Sequence, residues 1–248
     1  MLFVVQIVAL GLGLGLAALW PREARPLLNR ESLVNVLTGA GLYGLKLVIG
    51  LTGVLGLNAG CFAVGGLTTG PIQALFAFLV VDLARYWLHR MHHRVAFFWQ
   101  FHRVHHSVRS LDSTAGFRMH LVDFVQLSIL PVLLFGVLFD TTRWEWWAVP
   151  VAMIPGVVAD ALEHSNTRWA PRNRALLYLF NNPLFHSWHH VRDAILCDGN
   201  YANALPVWDL LFRSNVTRPA PPDALGLPED QDLASDALGL QLLRRAHP

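Results

Sequence analysis

Between Leu2 and Trp20 the chain carries an almost unbroken apolar run. At about 1.5 Å per residue it is about as long as the hydrocarbon core of a bilayer requires. A segment surrounded by lipid must satisfy its backbone polar groups internally, so the run is predicted to be a spanning helix. No basic residue precedes it, its exit at Trp20-Pro21 offers no small-residue cleavage site, and Arg22, Arg25 and Arg30 follow. Those flanks fit a retained anchor with its C-terminal end inside, not a cleaved signal peptide.

Further apolar runs continue the pattern. Residues 33–67 are interrupted only by Asn35, Lys46 and Asn58, and Pro71 to Leu88 follows. They read as an outward and an inward pass, with the outward crossing starting either at Leu33 or, if Leu33 to Leu45 lies in the interface, beyond Lys46 at 47–67. Leu121 to Phe139 and Trp146 to Leu162 form a helical hairpin joined by the polar turn Asp140 to Glu145. With 54% hydrophobic and 15% charged residues, the expected fold is all-α, an integral-membrane bundle of about four to five spanning helices. A formal net charge of +2 without a dense basic stripe argues against a nucleic-acid partner. Nothing in the sequence fixes an oligomeric state.

Eleven of the twelve histidines lie between His89 and His190; His247, in the terminal tail, is read as incidental. His89 and His93 are four apart. His102, His105 and His106 form one His-x-x-His-His triplet, and His186, His189 and His190 a second, with His164 between them. Residues three and four apart share a helix face, so each group presents its imidazoles toward one point. Basic residues crowd the loops that carry these boxes, with Arg143 alone on the opposite side, which puts the histidines on the cytoplasmic side.

Nine converging imidazoles suffice for two metal ions with four or five nitrogen ligands each. His92 is left without a role, because His93 completes the pair with His89. Imidazole suits zinc, copper, iron and nickel, and no cysteine lies near the boxes. Cys61 and Cys197 are read as neither a disulfide nor a metal site. Two iron ions fit best, since structural zinc needs four ligands and hydrolytic zinc three. Zinc can still occupy such a site in purified protein, because the affinity order favours it over ferrous iron.

Carboxylates at helical offsets are candidate partners for the outer nitrogens of metal-bound imidazoles. Asp160 lies four before His164, Asp82 seven before His89 and Asp123 three after His120; each also reads as a helix-end charge in the headgroup region. His120 is either a tenth ligand or a donor behind the ligands. Trp144, Trp146 and Trp147 read as an outer aromatic belt. Trp99, Phe97, Phe98 and Phe101 read as interfacial anchors or as the lining of an acyl entrance.

The order His-x-x-x-His, His-x-x-His-His, His-x-x-His-His after transmembrane helices resembles the fatty-acid hydroxylase and sterol desaturase superfamily. The resemblance covers roughly residues 30 to 215. It includes Asp82, Tyr86-Trp87, His89-Arg90, the FHRVHHS segment at 101–107, Arg118-Met119-His120, His164-Ser165-Asn166, Pro183, Asn200-Tyr201, Trp208-Asp209 and Leu211-Phe212. It implies a membrane-bound non-haem di-iron centre that activates dioxygen, with His89, His93, His102, His105, His106, His164, His186, His189 and His190 as ligands. Asn166 joins His120, Asp82, Asp123 and Asp160 as a residue behind the ligands.

The chain departs from the family pattern in two places. Asp123 follows Arg118-Met119-His120-Leu121-Val122 where many members have Arg-x-His-Pro-x-Glu, and Ala202 stands where glycine often follows Asn-Tyr or Asn-Phe. The expected domains are an anchor and loop at 1–32, a hydroxylase-like catalytic domain at 33–215 and a peripheral tail at 216–248. The tail carries Asp-Ala-Leu-Gly-Leu twice, at 223–227 and 236–240.

The expected reaction is hydroxylation or desaturation of a lipid-like substrate, such as a fatty acyl chain or sterol. Electrons would come from a separate reductase, ferredoxin-like or cytochrome-like donor, because the chain has no dinucleotide fingerprint, Cys-rich cluster pattern or haem domain. Rival readings are a metal transporter and a bis-histidine haem electron-transfer protein. Transport calls for polar residues at mid-membrane depth, and a haem for paired histidines inside opposing helices. One lysine against eighteen arginines points to a GC-rich bacterial genome and hence to an inner membrane.

Overall fold

A computed structural model describes residues 1–52, 60–64, 67–168, 176–216 and 218–246. The fold is helical, and its only sheet among the described residues is a two-residue parallel pair. Helix α1 (Leu2–Leu19) is followed by α2 (Arg30–Thr52), α3 (Gly70–Arg94) and α4 (Ala96–His106). Then come α5 (Leu121–Phe124), a π-turn over Val125–Ile129 and α6 (Leu130–Leu138), which form one continuous helical run. Pro131 opens α6. It has no N–H to donate, so the hydrogen-bond register shifts in the turn before it.

Three helical runs among the described residues are long and apolar enough to cross a membrane: Leu2–Leu19, Gly70–Arg94 and Leu121–Leu138. The expected outward pass differs. Helix α2 runs through Lys46, whose side chain, like His247, lies outside the described residues. Beyond it Phe62–Ala63 (β1) pairs in parallel with Phe139–Asp140 (β2), so the stretch to Leu67 is not one helix. Gly60 permits this pairing, because a Cβ there would collide with the Phe139 backbone.

The second arm of the hairpin is also broken, into α7 (Ala148–Ala152) and α8 (Ile154–Glu163). Pro150 and Pro155 remove two helical donors around the break at Met153. Helix α1 lies along α8, and α3 packs on α6 and α7. Ala9, Gly13 and Ala17 are the buried residues of α1, a small-residue stripe that lets two backbones approach closely in lipid. A Cβ at Gly13 would come within 3.1 Å of the Ala161 carbonyl oxygen of α8. Ala77, Val81, Phe135 and Ala152 form the core between α3, α6 and α7.

The segment expected to be peripheral is packed into the protein. Leu227, Leu233 and Leu240 are buried against Val104 of α4, and Leu225 against Val108 and Leu111. Gly226 adopts φ +99° where it passes over the Val108 carbonyl, a backbone conformation that side chains resist. A short helix at Ala237–Gln241 sends the Gln241 side chain to the Met119 carbonyl and the Leu121 N–H. The tail thus clamps α4, the helix that carries the first histidine triplet.

Candidate metal centre

Four elements converge beneath that clamp. The C-terminal end of α3 supplies His89 and His93, and α4 begins after a break at the extended residue Val95 and supplies His102, His105 and His106. His164 follows α8. Helix α9 (Pro183–His189), capped by the Asn182 side chain accepting the Phe185 N–H at 3.1 Å, supplies His186 and His189, with His190 at its end.

These nine imidazoles fall into two groups. Candidate ligand atoms of His89, His93, His102, His106 and His189 lie within 4.8 Å of one another, as do those of His105, His164, His186 and His190. Each triplet divides between them. In both, the residues at i and i+4 enter one group and the residue at i+3, turned about 100° around the helix, enters the other. The division runs in opposite senses: His105 joins His186 and His190, while His189 joins His102 and His106. The groups adjoin where His106 and His190 stack with ring centroids 4.6 Å apart.

Hydrogen bonding fixes which nitrogen faces inward. The Nδ1 atoms of His89, His164 and His189 donate to the carbonyls of Tyr201, Asp160 and Gly199 at 2.7, 2.7 and 2.8 Å. His102 Nδ1 donates to Asp123 Oδ1 at 3.0 Å. A carbonyl or carboxylate oxygen only accepts, so Nδ1 carries the proton and a neutral ring presents a bare lone pair at Nε2. The Nε2 atoms converge, and the fixed lone pairs of His89 and His102 face each other directly. His89 and His102 Nε2 are 2.9 Å apart, His106 Nε2 is 3.2 Å from His102 and 3.0 Å from His189, and His186 Nε2 is 2.9 Å from His164 and 3.0 Å from His190.

Nitrogens about 2.1 Å from a common ion stand about 3.0 Å apart at right angles and about 3.4 Å apart in a tetrahedron. The observed spacings match that range. Burial and the mutual repulsion of like charges hold His105, His106, His186 and His190 well below the usual imidazole range, and burial with the neighbouring His102 takes His189 down to about 3. These five rings are therefore neutral at physiological pH, the state in which imidazole binds metal. Each group fits one metal ion through Nε2, and a flat haem would not fit between nitrogens this close.

Asp123 stands behind the five-histidine group. Its Oδ1 accepts from His102 and, at 2.7 Å, from His92 Nδ1, and all three side chains are buried. His92, left without a role by sequence reasoning, is thus Asp123's second donor. The other candidates lie elsewhere. Asp82 accepts from the N–H groups of Ala204 and Leu205 and from the Trp208 indole, holding that loop on α3. The Asp160 carboxylate pairs with Arg85 at 3.3 Å, and it is the Asp160 carbonyl that serves His164. Asn166 exchanges hydrogen bonds with the Glu23 backbone. His120 caps α5, accepting from the Val122 N–H and donating to the Gln241 carbonyl, so it stands apart from both groups.

Three residues that the spacing argument did not single out complete the site. Asn200 sits at φ 55°, a left-handed position that asparagine tolerates, and its turn aims the Gly199 and Tyr201 carbonyls at two histidines of the same group. Asp209 fixes that turn by accepting the Tyr201 and Ala202 N–H groups at 2.9 and 2.8 Å. Glu163, adjacent to His164, is buried beside the four-histidine group. Asn200-Tyr201 and Asp209 were visible in the sequence only through the resemblance, and Glu163 only through its neighbour.

A cavity lined by Arg85, Ser128, Asp160, Glu163 and Asn203 reaches both groups, touching His89 and His102 on one side and His105, His164 and His186 on the other. A second cavity, of about 220 Å³, reaches His93 and His106 past Trp99.

The fatty acid hydroxylase family profile matches residues 74–214, more than half of the chain. The chain belongs to the fatty acid hydroxylase family. Within that stretch lie most of α3, all of α4 and α9, and every histidine of the two groups. Alkylglycerol monooxygenases are similar: 30% identical over 146 residues for Xenopus tropicalis and 30% over 145 for Homo sapiens. A very-long-chain aldehyde decarbonylase of Oryza sativa subsp. indica is 30% identical over 146 residues. The aligned part is 56%, 55% and 56% of this chain, respectively. The chain spans 29% of the two monooxygenases and about half of the plant protein. No solved structure matches.

Proposed function

We propose that this membrane protein is a non-haem di-iron oxygenase that uses dioxygen to hydroxylate or desaturate a lipid-like substrate. The observation that carries this reading is the convergence of nine imidazoles into two adjoining groups, with Nε2 atoms about 3 Å apart and the bare lone pairs of His89 and His102 facing each other. A metal ion between them turns the repulsion of facing lone pairs into binding and takes up the remaining nitrogens as ligands. His89, His93, His102, His106 and His189 would hold one ion, and His105, His164, His186 and His190 the other. When bound, a pair of ferrous ions supplies an oxidant derived from dioxygen that is strong enough to attack an unactivated C–H bond.

The chain's own residues do the rest. The carbonyls of Tyr201, Gly199 and Asp160 and the Asp123 carboxylate fix the tautomer and aim of four rings. The cavity that touches both groups is where a substrate carbon would be held. A lipid substrate agrees with the relatives, whose names specify an alkylglycerol and a very-long-chain aldehyde. Electrons would arrive from a separate donor. The basic loops favour a site on the cytoplasmic face of a bacterial inner membrane.

The test is elemental analysis of detergent-purified protein expressed with added iron, followed by comparison of lipid extracts from cells with and without the active chain. About two irons per chain and an oxygen- and iron-dependent lipid product are expected. Absence of stoichiometric metal, or a single haem, would overturn the reading.

A further inference from the structure

The two histidine groups are unequal. One offers five imidazoles and the other four, although iron in a nitrogen and oxygen site accepts five or six ligands. The shortfall lies beside Glu163. This residue ends α8, immediately before His164, and is 2% exposed. One carboxylate oxygen, Oε2, accepts from the Asn181 side-chain amide. The other, Oε1, lies 3.8 Å from His186 Nε2 and 3.7 Å from His164 Nδ1.

Two features set this carboxylate apart from the other acids nearby. Arg85, the cation that lines the same cavity, pairs with Asp160, and no arginine or lysine pairs with Glu163 among the described residues. A buried carboxylate without a cation carries a large desolvation cost. The groups next to it are four imidazoles whose candidate ligand atoms lie within 4.8 Å of one another. A divalent ion there would both join those nitrogens and balance the buried charge.

Ligands of one ion stand about 3.0 Å apart when adjacent and about 4.2 Å apart when opposite, for bonds of about 2.1 Å. The 3.8 Å between Oε1 and His186 Nε2 falls between those limits. Oε1 stands near one of the four nitrogens, His186 Nε2, and outside the group itself, so a turn of the side chain would be needed to bring it among them while Asn181 retains the other oxygen. We propose that Glu163 is the anionic oxygen ligand of the four-histidine site, making that site chemically distinct from the all-nitrogen five-histidine site. This rests on the di-metal reading above. One ion is then held by imidazoles alone, and the other by imidazoles and a carboxylate that faces the substrate cavity.

The experiment compares wild type, Glu163→Gln, Glu163→Asp and His190→Ala, each purified as the full chain from cells supplied with ⁵⁷Fe. Iron content and Mössbauer spectra are the readouts. Wild type is expected to hold about two irons in two distinguishable environments, and Glu163→Gln to weaken the four-histidine site at least about tenfold. The variant then retains the same iron signal as His190→Ala. Glutamine keeps the carbonyl that meets Asn181, so a merely structural role would leave the iron content unchanged.

Two irons with unaltered spectra in Glu163→Gln would overturn the proposal while leaving the di-metal reading intact. Wild type without two metals would refute the di-metal reading itself. Should the glutamine variant fail to fold, Glu163→Asp decides. A shift confined to one iron signal supports ligation, and an unchanged spectrum refutes it.

Discussion

Replacing Asp123 by asparagine tests how the protein aims its ligands. Oδ1 of Asp123 accepts two imidazole N–H bonds, from His92 at 2.7 Å and from His102 at 3.0 Å, and none of the three side chains is more than 1% exposed. Asparagine has nearly the same shape and keeps one accepting oxygen, but it removes the charge that strengthens both bonds. Partners of this kind are worth about 10- to 100-fold in metal affinity, or about 1.4 to 2.7 kcal/mol. The loss should fall on the five-histidine site through His102 and leave the four-histidine site within about threefold of wild type. Competition with a chromophoric chelator, following the two ions separately, measures it. Equal affinity of wild type and Asp123→Asn at the five-histidine site would refute the argument. Asp123→Ala should be worse, because two buried N–H groups lose their acceptor at about 1 to 3 kcal/mol each.

The other expectations concern the clamp, the orientation and the response to acid. Leu240→Ala removes a fully buried side chain that packs on Val104 and should cost about 2 to 5 kcal/mol; a thermal melt unchanged within about 1 °C would contradict the clamp. In intact cells a membrane-impermeant maleimide should label exposed Cys61 from outside and spare Cys197, which is buried with its thiol pushed up to about 11. Labelling of Cys197 alone would reverse the proposed orientation. The lowered imidazole pKa values mean that the unfolded chain binds protons the folded chain resists. Stability of the metal-free protein should therefore be complete above about pH 6.5 and fall as pH drops toward about 3. Chemical unfolding between pH 8 and 5 checks the sign, and greater stability at pH 5 would reject it.

Much of this protein was legible in its sequence for a physical reason. Apolar runs near bilayer length force helices, and histidines at helical spacing can only share or split a face, so the membrane bundle and the nine convergent imidazoles follow from local pattern alone. Local pattern is silent on what depends on distant segments meeting. The break at Met153 and the pairing of Phe62–Ala63 with Phe139–Asp140 override apolar composition. Leu227 and Leu240 look like tail residues until α4 is folded beneath them.

Helix periodicity implied that each triplet would present its imidazoles toward one point, whereas each divides between the two groups, and which imidazole joins which group depended on where α4 and α9 cross. Asp82, a fixed number of residues before His89, serves a loop instead, while Asp123 reaches His92 and His102 from another helix. Sequence spacing specifies direction only within one element. Distances between elements, and with them the pairing of carboxylate to imidazole and of imidazole to metal, are decided by packing.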